Sequence, residues 1–87
     1  MSWSGTQPTG GRQRLLNESW PPQSATIRNA DEPIPVTARL VWADDGEEWV
    51  ESRAMRWRGR HVFVALHDRR NGYVQGVWID ASDVRRR

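Results

Sequence analysis

The sequence predicts an all-β protein: a small antiparallel barrel, or a strongly bent meander of four to five strands, behind a flexible N-terminal arm. Three observations carry that expectation. Gly46, Gly59 and Gly72 recur at intervals of thirteen residues, each among polar residues and between strand-like runs, which is the rhythm of a meander with short turns. All five prolines lie at or before Pro35, so the chain changes character there. No later segment sustains a helical period.

The 87 residues suffice for one small domain, which buries only about 60% of the surface its unfolded chain exposes. Six Trp offset the thin core, since each large aromatic buries ~150–250 Å². There is no Cys, hence no disulfide and no cysteine-based zinc site. No apolar run approaches the ~18 residues of a membrane span. The stretch MSWSGTQPTGGRQR lacks the charged and apolar regions of a secretory leader. A cytoplasmic protein with no membrane partner is expected. All thirteen basic residues are Arg, the net charge is +2 and the sequence pI is near 10.4. Arginine suits phosphate and aromatic contacts better than lysine. Codon bias in a GC-rich genome produces the same preference without any function.

Residues 1–32, rich in Ser, Gln, Thr, Pro and Gly, read as the arm. Within it RLLNESW (Arg14–Trp20), closed by Pro21-Pro22, is a candidate short turn that docks on a partner or on the chain's own domain. The domain follows over 33–87, with strands expected at 34–43, 47–57, 61–67 and 73–80. Asp45-Gly46 and Asn71-Gly72 are the dipeptides a two-residue type I′ turn prefers, and Arg58-Gly59 or Gly59-Arg60 makes the middle turn.

Turn positions set the register, and the register sets which side chains share a face. A turn at Asp45-Gly46 places Trp42 opposite Trp49 as a cross-strand aromatic pair. The expected core is then Ile34, Val36, Leu40, Trp42, Met55, Trp57, Val62, Val64, Leu66, Val77 and Ile79, with Trp49 also buried. Glu51 and Arg53 fall on the same parity, and a bulge or bend near them would resolve the conflict. A sheet covered on one face only would leave Trp and Val exposed, so closure into a barrel is expected. The segment GVWIDASDV (Gly76–Val84) resembles the closing segment of SH3-like barrels, in which a strand leads through one 3-10 turn into a short final strand. The resemblance implies a fold and nothing about activity, and Asp80 stands where the usual proline would be. The run from Arg53 to Arg87 is similar to small proteins of GC-rich bacteria, which implies no function.

Catalytic chemistry finds little support. His61 and His67, six apart on one strand, would lie roughly 20 Å apart, too far to share a metal. There is no nucleophile elbow and no phosphate-cradling glycine loop. His67-Asp68 at a strand end reads as a capped turn. The acidic stretch DDGEE (Asp44–Glu48) lacks the ligand alternation of a calcium loop and reads as a solvated turn. The sequence therefore predicts a non-enzyme without cofactor or metal.

Binding remains. The first and third turns share one end of a meander, where Asp44, Asp45, Glu47 and Glu48 would neutralise Arg69 and Arg70. The second turn, with Arg56, Arg58 and Arg60, lies at the other end near Asp31, Glu32, Asp80 and Asp83. On the face opposite the core fall Arg56, Arg58, His61, Phe63, Ala65 and Trp78. Aromatics beside arginines on a sheet face are a means of gripping single-stranded nucleic acid, the bases stacking on rings and guanidiniums pairing with phosphates. The candidate ligand-facing set is Arg56, Arg58, Arg60, His61, Phe63 and Trp78, with Arg85, Arg86 and Arg87 adding non-specific attraction. Two alternatives compete. The barrel, or the arm with Trp20, covers Phe63 and Trp78 and leaves only a hairpin. Or the same face, or the Arg14–Trp20 patch, takes a protein partner.

Overall fold

The computed structural model describes residues 12–23, 26–72 and 74–87; the arm expected over 1–32 lies outside these in residues 1–11, 24 and 25, as does the expected strand start at residue 73. The protein is all-β. Five strands, β1 (Arg28–Trp42), β2 (Gly46–Arg58), β3 (His61–Ala65), β4 (Gly76–Asp80) and β5 (Val84–Arg86), form one antiparallel sheet in the order β4-β3-β2-β1-β5. The first four make the meander that the glycine rhythm predicts. A 3-10 turn at Ala81–Asp83, capped by Asp80, leads from β4 into β5.

That short connection forces the sheet to curl. β4 and β5 lie on opposite edges, which in a flat sheet of ~4.8 Å spacing would stand roughly 19 Å apart. Four residues from Asp80 to Val84 reach at most ~14 Å. The sheet is nevertheless not closed into a barrel, contrary to expectation. The two edges are instead spanned by a strap from residues 13–19. Along β1 the Leu16 N–H donates to Val41 O at 2.7 Å and Ala43 N–H to Arg14 O at 2.9 Å; along β4 the Ser19 N–H donates to Trp78 O at 2.8 Å. The Asn17 amide stands in for a strand, donating to Arg39 O and accepting from Val41 N–H. Edge groups satisfied by the strap have no need of each other, so the edges do not pair. Leu15, at 6% exposure, plugs the seam from within.

The core is Leu15, Val36, Ala38, Leu40, Trp42, Ala54, Val64, Val77 and Ile79, with Ile34, Val50, Val62, Leu66 and Val84 packed against it. Its β1, β3 and β4 members follow the expected parity. On β2 the parity is reversed, and the first hairpin explains why. Its loop spans Ala43–Asp45, and Trp42 pairs with Gly46 instead of Trp49. Gly46 has φ +78, the left-handed conformation that an Asp-Gly signal promises, but it sits at the loop's exit. The longer loop is held from outside: the Gln13 side-chain oxygen accepts from the N–H groups of Asp44 and Asp45 at 3.1 and 3.0 Å. Trp49 therefore lies opposite Arg39 on the outer face, 39% exposed, and the expected Trp42–Trp49 pair does not form. Glu51 and Arg53 share that outer face, which removes their conflict with the core.

A register shift between Ala54 and Arg56 then reverses the parity of β2 once more. Met55 is the extra residue, so Trp57 lies beside Val62 while Arg56 and Arg58 stay outside. Another irregularity in β1, between Asn29 and Ile34, takes up Pro33, where a bulge tolerates a missing N–H; β1 thus begins at Arg28, before the expected boundary. The β3–β4 connection is also longer than a two-residue turn. It contains a 3-10 turn at Arg69–Asn71, capped by Asp68 and closed by Gly72 at φ +75. Ala65 pairs with Gly76, a slip of two residues that leaves the expected faces unchanged.

Candidate nucleic-acid interface

The β2–β3 hairpin turns through Gly59-Arg60, with Arg58 opposite His61. Gly59 takes φ +57, which a residue with a Cβ adopts only under strain. Above the turn Arg56, Phe63 and Trp78 form one cross-strand row over three strands. The Phe63 and Trp78 rings are 5.3 Å apart and tilted by 57°, and the Arg56 guanidinium lies 4.9 Å from the Phe63 ring centre. The row closes on Gly76, where a Cβ would stand 2.8 Å from the Phe63 ring tip and 2.3 Å from the Val64 carbonyl oxygen. Three of the expected site residues are thus brought together. Their rings, however, are occupied with one another.

Trp78 is 4% exposed, a correction to the expectation that its indole faces a ligand. The other expected residues are dispersed by their partners. His61 Nδ1 is 3.1 Å from both the hydroxyl and the carbonyl oxygen of Ser19, which holds the imidazole against the strap. Arg60 grips Asp80 through two bonds of 2.7 and 3.3 Å, which raises the Arg60 pKa and, with the Ser82 contacts, holds Asp80 below the usual carboxylate range. At the far edge of the sheet Arg85 lies 4.5 Å over the Trp49 ring. Arg86 is exposed. Arg87 donates to Val36 O, Ser52 O and Glu51. Two of the three tail arginines, Arg85 and Arg87, are thus engaged on the sheet itself.

The two ends of the molecule differ in charge compensation. At the first-turn end Arg70 bonds Asp45, Glu48 and Asp68, part of the neutralisation the sequence predicts, while Glu47 pairs with Arg39 instead. Around the β2–β3 hairpin, among the described residues, Arg28, Arg53, Arg56 and Arg58 have no carboxylate within ion-pair distance; Asp31 and Glu32 lie nearby in β1 and pair with none of them. Arg28 was missed by sequence reasoning because β1 was expected to start later. Its register partner is Trp57, and Thr26, Arg28, Trp57, Arg58 and Gly59 line an open cavity of about 440 Å³.

The fold and this face define a small all-β module with an arginine-rich hairpin. Compared with family models, curated proteins and solved structures, the chain has no match, so its function is read from its own geometry.

Proposed function

We propose that this chain is a non-enzymatic binding module that engages single-stranded nucleic acid along the β2–β3 hairpin. The observation that carries the reading is the group of Arg28, Arg53, Arg56 and Arg58, which no carboxylate neutralises. Unpaired guanidiniums along a bent ribbon attract a phosphate chain and release its counterions. Half-buried Trp57 supplies an aromatic surface beside them, and every base has a face that can stack. Titrating a labelled single-stranded oligonucleotide at several salt concentrations tests this. Affinity should fall steeply as salt rises, and the R56Q/R58Q variant should lower the log–log slope by about 1.4, at ~0.7 per phosphate contact. Absence of binding by the parent at low salt defeats the reading.

A protein partner is the second reading, and a specific surface favours it. Trp20 and Val74, 65% and 45% exposed, line a cavity of about 360 Å³ with Leu15, Glu18 and Val77, where the strap meets β4. Binding there would be largely insensitive to salt, because apolar burial and not counterion release drives it.

A further inference from the structure

We infer that the cavity beside Trp57 seats one nucleotide of the bound strand, its base on the indole and its phosphate on Arg28 and Arg58. The inference rests on the reading above and goes further by naming the residues for base and phosphate. The Met55 bulge turns Trp57 away from the Arg56–Phe63–Trp78 row and onto the face of Val62. At this end of the sheet the core has run out: Val62 still packs against it, whereas Trp57 is half-buried and stands outside the cluster. Arg28, paired with Trp57 across the strands, emerges on the same face, as cross-strand partners do. Arg58 and Gly59 form the rim of the cavity, and Thr26 adds a hydroxyl. A Cβ placed on Gly59 would meet nothing within 4 Å, so the tip is open.

Among the described residues the lining is Thr26, Arg28, Trp57, Arg58 and Gly59: one flat aromatic and two arginines, with no carboxylate. Such a set selects a ligand that is flat at one end and anionic at the other. A free inorganic anion would leave the indole unused. An uncharged ring would leave both arginines unused. A nucleotide uses both, since guanidinium forks match phosphate oxygens and indole stacks on any base. The volume lies within the range of small-ligand sites, ~300–1,000 Å³.

The test uses the full chain, labelled with ¹⁵N, with the Trp57 indole N–H signal assigned through W57F. Adenosine 5′-monophosphate should shift that signal saturably, and adenosine or inorganic phosphate should do so far more weakly. R28Q and R58Q should each weaken mononucleotide binding several-fold while leaving the remaining spectrum in place. Each should also lower the oligonucleotide salt slope by about 0.7. If the oligonucleotide binds with its salt dependence intact while Trp57 is silent and R28Q behaves as the parent, this seat is wrong and the nucleic-acid reading stands. If the parent binds no oligonucleotide at low salt, that reading fails and the inference with it. An equal response to phosphate alone, or a response to an acidic peptide in place of the nucleotide, also overturns the inference. Should W57F fail to fold, the two arginine variants decide the matter.

Discussion

The guanidinium of Arg70 lies 4.3 Å over the ring of Trp42, and one Glu48 oxygen accepts from both residues, at 2.6 Å from Arg70 and 2.8 Å from the indole N–H. The most deeply buried aromatic of the core is thereby capped by a cation that three carboxylates hold in place. Arg70 is 18% exposed in its side chain, so it acts where solvent screens little. Its fork and flat face are both used, and lysine supplies neither. R70Q and R70K should each destabilise the fold by ~1–3 kcal/mol in urea unfolding, from a lost ring contact and bonds to charged groups. R60Q, which breaks an exposed, solvent-screened pair, should leave the urea midpoint close to that of the parent. Equal effects of R70Q and R60Q would show that the cap does not stabilise the core.

Acid should loosen the same end. Asp68 is held at about 2, against an ordinary 3.8, chiefly by its hydrogen bond from the Arg70 side chain. A carboxylate whose folded pKa is depressed stabilises the fold fully above its unfolded pKa, and that stabilisation disappears as pH falls through the folded value. Stability should therefore decline from about pH 4 toward pH 2. D68N should be less stable than the parent at neutral pH and nearly equal to it at pH 2. A constant gap between the two over this range would exclude the assignment.

The two tryptophans nearest the first turn should behave oppositely. Trp42 is 1% exposed and Trp49 is 39% exposed. W42A should cost ~3–5 kcal/mol, enough to unfold a domain this small. W49A loses only a surface ring under Arg85 and should cost about 1 kcal/mol or less. Chemical denaturation of both variants checks the register directly. Similar losses would restore a two-residue turn with both rings buried.

The strap is a structural part of the domain. Leu15, buried at 6%, is its plug, and L15A should cost ~2–5 kcal/mol. L16A alters a neighbour that is 57% exposed and should stay within ~0.5 kcal/mol of the parent. Urea midpoints separate the two; an L15A midpoint equal to that of L16A would mean that the strap does not close the core in solution.

Part of the candidate site was legible in the residues. Arg56, Phe63 and Trp78 were placed on one face by strand alternation, and they do form one row. Alternation fixes a face but not what covers it, which is why the burial of Trp78 was not legible. The meander already placed Asp80 at the end of Arg60, and the two do pair; Glu51, the partner of Arg87, lies 36 residues away in sequence, and no local pattern pointed to it. The Trp57 cavity needed two facts that no local pattern carries: the bulge at Met55 and the early start of β1.

By itself the sequence determined the all-β class, the four-strand meander, the apolar faces of β1, β3 and β4, and the neutralised end around Arg70. Each rests on local rules, namely glycine where φ is positive, a side-chain period of two, and opposite charges at neighbouring turns. Tertiary structure decided the length of the first loop, through Gln13; the outward position of Trp49; and the open sheet whose edges are held by the strap. Those outcomes depend on which distant group satisfies a given N–H or C=O. Several registers leave a strand's own pattern equally content, and only the buried backbone groups, which must find partners, select among them.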